Sequence, residues 1–204
     1  MRFWTIQPIA VVAELDRSGS VRVDQDHQRY RGKRPWQYDW LAAALARHHS
    51  AFSGGWPWWL SCEEPDLAAQ ATRTLPGGGS QASIELEIPE GRYVTFPLWM
   101  WETIFTGMYL AAGPDELEDW LEVVDRISDD GEALPPSLRD RLEASWDRIL
   151  DPGWQPRFWY RDRPPPDDDS ALARLMREAS TTNAGLVEEL RAGDVVRVTE
   201  FQSR

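Results

Sequence analysis

The sequence predicts an α+β fold: a small mixed or antiparallel sheet formed by N-terminal, central and C-terminal strands, with a run of helices between them. Three observations predict it. The chain opens on Arg2-Phe3-Trp4-Thr5-Ile6 and closes on Val195 to Phe201, both rich in β-branched and aromatic residues. Near its middle, Trp56-Pro57-Trp58-Trp59-Leu60-Ser61-Cys62 puts Trp58, Leu60 and Cys62 on one face of a strand and Trp59 and Ser61 on the other. A strand apolar on both faces belongs inside a sheet. From Pro97 to Leu150, by contrast, apolar residues recur at helical spacing.

The elements follow in order. After the first strand, Pro8 suits the opening of a helix in which Ile9, Val12 and Leu15 share a face, and Gly19 ends it. Ser20 to Val23 reads as a short strand, Asp24 to Lys33 as a polar loop, and Pro35 to His49 as a helix with Trp36, Trp40 and Ala44 on one stripe. The central strand delivers Glu63, Glu64 and Asp66 at its C-terminal end, and a short helical turn follows. Ser83 to Ile88 alternates with Glu85 and Glu87 turned to solvent; the turn Pro89-Glu90-Gly91-Arg92 then predicts a hairpin return through Tyr93 to Phe96.

Three helices are expected next. Pro97 to Ala111 carries Leu98, Trp101, Ile104, Phe105 and Met108; Pro114 to Ile127 carries Leu117, Trp120, Leu121 and Val124; Pro135 to Leu150 carries Leu138, Leu142, Trp146 and Ile149. Gln155 to Arg161 reads as a strand and Arg161 to Asp169 as an extended spacer, with short helices at Leu172 to Met176 and Leu186 to Leu190. The whole chain is expected as a single domain, residues 1–204, with 163–192 inserted between the last two strands.

Bulk properties narrow the function. With 22 basic against 34 acidic residues the net charge is −12, which repels phosphate backbones, so no nucleic-acid partner is expected. One cysteine excludes an internal disulfide and, with three histidines, leaves little for a metal site. No apolar run is long enough to span a membrane, and the chain reads as cytoplasmic. The outlier is tryptophan, with 12 residues. Most are expected to fill core; an aromatic-lined groove for a planar or sugar-like ligand is the functional alternative.

Phe3-Trp4-Thr5-Ile6-Gln7, Gly19, Tyr38-Asp39-Trp40-Leu41, Trp56-Pro57-Trp58-Trp59 and Pro65-Asp66-Leu67 come in a recognisable order. So do Glu143 to Asp151 and Gln155-Pro156-Arg157-Phe158-Trp159. Together these resemble the bacterial domain of unknown function family 3841, over nearly the whole chain. The resemblance implies an α+β fold and a cytoplasmic setting, and brings no established activity. In that family the Pro-Asp-Leu motif is flanked by a lysine and an arginine, whereas here Glu64 and Ala68 stand there.

Two functions are therefore weighed. The first is a module that binds a small molecule or a protein partner through a tryptophan-rich groove, with Gln7, Tyr30, Trp58, Trp59, Asp66 and Gln155 as candidate contacts. The alternative rests on a loose likeness of the opening strand, helix and glycine to ADP-ribosyltransferase folds. That likeness implies NAD as cofactor and Glu200 as the catalytic carboxylate that stabilises a developing oxocarbenium ion. In either case no metal is expected. Cys62, inside an apolar strand, reads as a filler.

Overall fold

The computed structural model describes residues 1–23, 35–73, 79–127, 134–151, 154 and 183–203. They fall into two compact units, Met1–Thr95 with Asn183–Arg204, and Phe96–Thr182. The fold is α+β.

The first unit grows from β1 (Arg2–Pro8), which runs directly into α1 (Ile9–Ser18). Gly19 ends that helix with φ at 78°, and its N–H donates to the Leu15 carbonyl. Then come β2 (Ser20–Arg22), α2 (Pro35–His48), β3 (Trp58–Ser61), α3 (Leu67–Ala71), β4 (Gly79–Glu87) and β5 (Val94–Pro97). The chain returns to this unit as β6 (Asn183–Val187), β7 (Glu189–Arg191) and β8 (Val195–Ser203). The six-stranded sheet has the order β5-β6-β3-β1-β4-β8, and β2 with β7 makes a separate two-stranded ribbon. β1 is antiparallel to both its neighbours, with Trp4 opposite Ser61 and Phe3 opposite Leu86.

The N-terminal, central and C-terminal strands thus share one sheet, as expected. The alternation of β3 holds too: Trp58, Leu60 and Cys62 lie on the face where Phe3, Ile84, Leu86 and Val187 form the core, closed over by Leu15, Val12 and Ile9 of α1. Trp58 and Trp59 are each half-buried.

Four expectations are corrected by the tertiary structure. The hairpin does not form: after Gly91 (φ 84°) the chain turns, but β5 lies at the far edge beside β6 and not beside β4. Leu186 and Val187 are strand residues because β6 fills the gap between β5 and β3, and Leu190 is one because β7 pairs with β2, opposite Val21. Residues 183–191, at the end of the stretch expected to be an insertion, are thus part of the two sheets. Glu85 is 6% exposed and not solvated. Arg2 from β1 and Arg197 from β8 bind its carboxylate at 3.1 and 2.9 Å, which compensates the burial. Finally, Met108 and Leu121 are exposed, the first because α4 (Leu98–Phe105) ends before it. The Gln155–Arg161 strand, the spacer and the Leu172 helix lie outside the described residues.

In the second unit, α5 (Pro114–Ile127) and α6 (Pro136–Trp146) follow α4, and a 3-10 turn at Asp147–Leu150 extends α6. Trp146 is fully buried and its indole N–H donates to the Met108 carbonyl at 2.8 Å. Arg148 grips Glu116 through both terminal nitrogens, at 2.9 and 2.7 Å. Burial pushes the Glu116 carboxyl up, but Arg148, the Ala112 amide and the Tyr109 hydroxyl outweigh it and bring it to about 2.

A folded-state value below the ordinary one means that Glu116 stabilises above about pH 4.5, and that this contribution is lost as the pH falls towards 2. Arg148→Ala should cost about 1.5–3 kcal/mol at neutral pH. The deficit should shrink below pH 4.5, where the wild type loses the same interaction. Unfolding curves at both pH values check this, and an equal deficit at each would count against the pair.

Candidate functional site: a guanidinium-lined cavity

The two strands that meet at Glu188 build the site. β6 belongs to the large sheet and β7 to the ribbon, so Glu188 is the single residue at which the chain passes from one to the other. Its side chain is buried. Oε1 accepts hydrogen bonds from the Ser53 amide (2.8 Å), the Ser53 hydroxyl (2.8 Å) and the Gly55 amide (2.9 Å). The loop that enters β3 is therefore wrapped around this carboxylate. Gly55 makes the close approach possible, since a Cβ there would stand 3.1 Å from Oε1. The far end of the loop is fixed independently: Trp56 stacks on Tyr38 of α2 at 5.0 Å, and its indole N–H donates to Asp39 at 2.9 Å.

Beside this corner lies a half-open cavity of about 280 Å³ lined by Arg22, Ser50, Ala51, Arg92, Glu188, Glu189 and Arg191. All of its lining belongs to the first unit. Arg22 comes from β2 and Arg191 from β7, where pairing of the ribbon (Arg22 opposite Glu189, Ser20 opposite Arg191) brings them together. Arg92 comes from the turn before β5 and is held by Asp194 at 2.8 Å. Arg22 bridges Glu188 and Glu189, each at 3.5 Å, and donates to the Ser53 hydroxyl.

Burial raises both glutamates, and in both cases the donors win. The Ser53 and Gly55 amides with Arg22 hold Glu188 below the usual carboxylate range; Arg191, Ser20 and Arg22 do the same for Glu189. Both are ionised at neutral pH. Ionised and spent on internal donors, they are poor general bases, so the arrangement suits binding better than proton transfer.

The residues singled out from sequence are placed elsewhere. Gln7 donates to the Thr5 hydroxyl at 2.8 Å, and Trp58 donates its indole N–H to the Val21 carbonyl. Gln7 pairs across β1–β4 with Ala82, which pairs across β4–β8 with Glu200, so amide and carboxylate share one face. Ala82 between them is fully buried, and Glu200 is exposed. Trp59 points to the opposite face, edge-on to Tyr38 at 6.5 Å. The structure does not bring it together with Gln7 and Glu200. Asp66 caps α3, accepting from the Ala68 and Ala69 amides. Glu64 pairs with Arg197 at 2.6 Å. Tyr30 and Gln155 lie outside the described residues.

None of the cavity residues was a candidate from sequence. The available signal was Gly185 inside the apolar run Ala184-Gly185-Leu186-Val187, which disfavours a helix there and marks a strand approached closely by something else. Among the described residues no group of three or more His, Cys, Asp or Glu side chains could hold a metal ion, and no helix is long and apolar enough to cross a membrane.

No curated protein and no solved structure gives a match to the chain. A family model does: the domain of unknown function DUF3841 matches residues 2–158, which include Arg22, the loop around Gly55 and Arg92 but not the β6–β7 corner. The match covers well over half of the chain, and the protein belongs to the DUF3841 family.

Proposed function

We propose that the chain is a small-molecule-binding module and that its site is the cavity at the β6–β7 corner. The observation that carries this reading is a polar cavity part of whose lining is held in place: Glu188 accepts three hydrogen bonds from the Ser53–Gly55 loop, and Asp194 holds Arg92. A partly pre-formed, convergent polar lining is what small-ligand sites share, because less ordering remains to be done on binding. A volume of about 280 Å³ suits a metabolite-sized ligand and not a polymer. The buried tryptophans support the fold instead: Trp40, Trp56, Trp101, Trp120 and Trp146 are all core. We place the module in the bacterial cytoplasm, on its family resemblance and its single cysteine.

Ala51 lines the cavity and is half-buried, so Ala51→Trp should fill the space while leaving every donor and acceptor of the Glu188 cradle in the chain. A metabolite screen by thermal shift should return at least one stabilising compound whose effect is lost in Ala51→Trp. A ligand at a hundredfold over its Kd adds about 2.7 kcal/mol, a shift that is easily read. Hits that stabilise both proteins equally would remove the cavity from consideration. NAD belongs in the screen: a shift that survives Ala51→Trp, with turnover lost in Glu200→Gln, would favour the transferase reading instead.

A further inference from the structure

The cavity's hydrogen-bonding groups are unequally spent. Glu188 Oε1 accepts three hydrogen bonds, and its Oε2 faces Arg22. Glu189 takes the Ser20 hydroxyl and Arg22 on Oε1 and Arg191 on Oε2. The carboxylates therefore have little left to offer a cationic ligand. The guanidiniums do have groups to offer. Arg191 uses only Nε, Arg92 only one terminal nitrogen, and Arg22 Nε and one terminal nitrogen. Their other nitrogens make no hydrogen bond among the described residues. A guanidinium presents five N–H groups in a rigid fork, so the surplus among the cavity's charged groups is entirely of donors.

The lining carries three guanidiniums and two carboxylates, and Asp194, which holds Arg92, balances the third, so what the site offers an anion is directed N–H groups and not net charge. We infer that the ligand of this cavity is an oxyanion-bearing small molecule, its phosphate or carboxylate group held by the unspent N–H groups of Arg22, Arg92 and Arg191. The inference rests on the binding-module reading above and adds the chemistry of its ligand. Arg92, already held by Asp194, supplies a fixed fork; Arg22 and Arg191, whose side chains are 56% and 52% exposed, can close on the anion.

Inorganic phosphate and citrate are the probes, with adenosine and spermidine as neutral and cationic controls. Binding is read by titration calorimetry at constant ionic strength, because phosphate and citrate also raise melting temperatures by exclusion from the surface. Phosphate, citrate or both should bind the wild type and not Ala51→Trp, and which of them does so separates a phosphate from a carboxylate ligand. Arg191→Gln should weaken binding by about ten- to a hundredfold, the loss of one charged hydrogen bond. Arg191→Lys should recover part of it. Arg17→Gln removes a 73% exposed guanidinium outside the cavity and should leave affinity unchanged. Equal weakening by Arg17→Gln and Arg191→Gln would overturn the inference, since the effect would be general charge. So would adenosine or spermidine binding in an Ala51→Trp-sensitive way while neither anion binds, an outcome that keeps the module and discards the anion. If no probe's binding depends on Ala51→Trp, the anion inference is overturned, and the metabolite screen above decides the module reading separately.

Discussion

Phe3→Ala should destabilise the protein by about 3–5 kcal/mol, the usual cost of emptying a buried aromatic site. Phe3 is fully buried, its ring meets Tyr93 edge-on at 4.9 Å, and it sits at the centre of the cluster that joins β1, β3, β4 and β6 to α1. The reverse change tests the same contact. At Gly185, two strands away on β6, an added Cβ would stand 2.5 and 2.8 Å from carbons of that ring. Gly185 has no left-handed backbone, so space alone requires glycine there. Gly185→Ala should cost about 1–3 kcal/mol by overpacking, because a ring enclosed on all sides cannot retreat. Combining Gly185→Ala with Phe3→Leu should cost clearly less than the two changes summed. Urea unfolding of the four proteins decides it, and strictly additive losses would mean that the two positions do not share one volume.

The second large effect is expected at Glu188. Glu188→Leu keeps much of the volume and removes the acceptor, leaving the Ser53 and Gly55 amides without their partner. A fully buried donor left unpaired costs about 1–3 kcal/mol; Ser53 is exposed and Gly55 half-buried, so water reaches part of the orphaned pair and the total should fall near 1–3 kcal/mol. Glu188→Gln retains one acceptor oxygen and should cost less. The pH dependence separates charge from shape. The folded-state value of Glu188 is depressed, so its contribution is present above the ordinary glutamate range and is lost as the pH falls below it. Glu188→Gln should lack that acid-side loss. Chemical unfolding measured at neutral and mildly acidic pH gives both readings, and a neutral Glu188→Leu would show that water replaces the carboxylate.

Much of the fold was legible because local chemistry and tertiary packing agreed. Period-two alternation in Trp58-Trp59-Leu60-Ser61 assigns the strand and its two faces, since α1 packs on one face and Tyr38 of α2 meets Trp59 on the other. The glycine after α1 and the acidic first turn of α5 act within a few residues, so the sequence carries them in full, whereas Asp66, read as a ligand contact, is the cap of α3. Glu85 was misread for the opposite reason. Alternation says only that it leaves the apolar face; its burial depends on Arg2 and Arg197, which lie 83 and 112 residues away.

The site was less legible still. Tyr38, Trp56 and Asp39 come from short neighbouring segments, and their stack follows from aromatic residues brought to adjoining elements. The cavity instead joins residues near 22, 51, 92 and 190 through a ribbon of three-residue strands. Strands that short leave no periodicity to read, and two adjacent glutamates after an apolar run look like the start of a solvated helix. The sequence by itself determined the class of the fold, the faces of its central strand and the ends of α1 and α5, all effects of nearest neighbours. Only the tertiary structure decided which strands pair, which glutamates are buried and where the unspent guanidiniums converge, because those depend on charges and volumes supplied by distant parts of the chain.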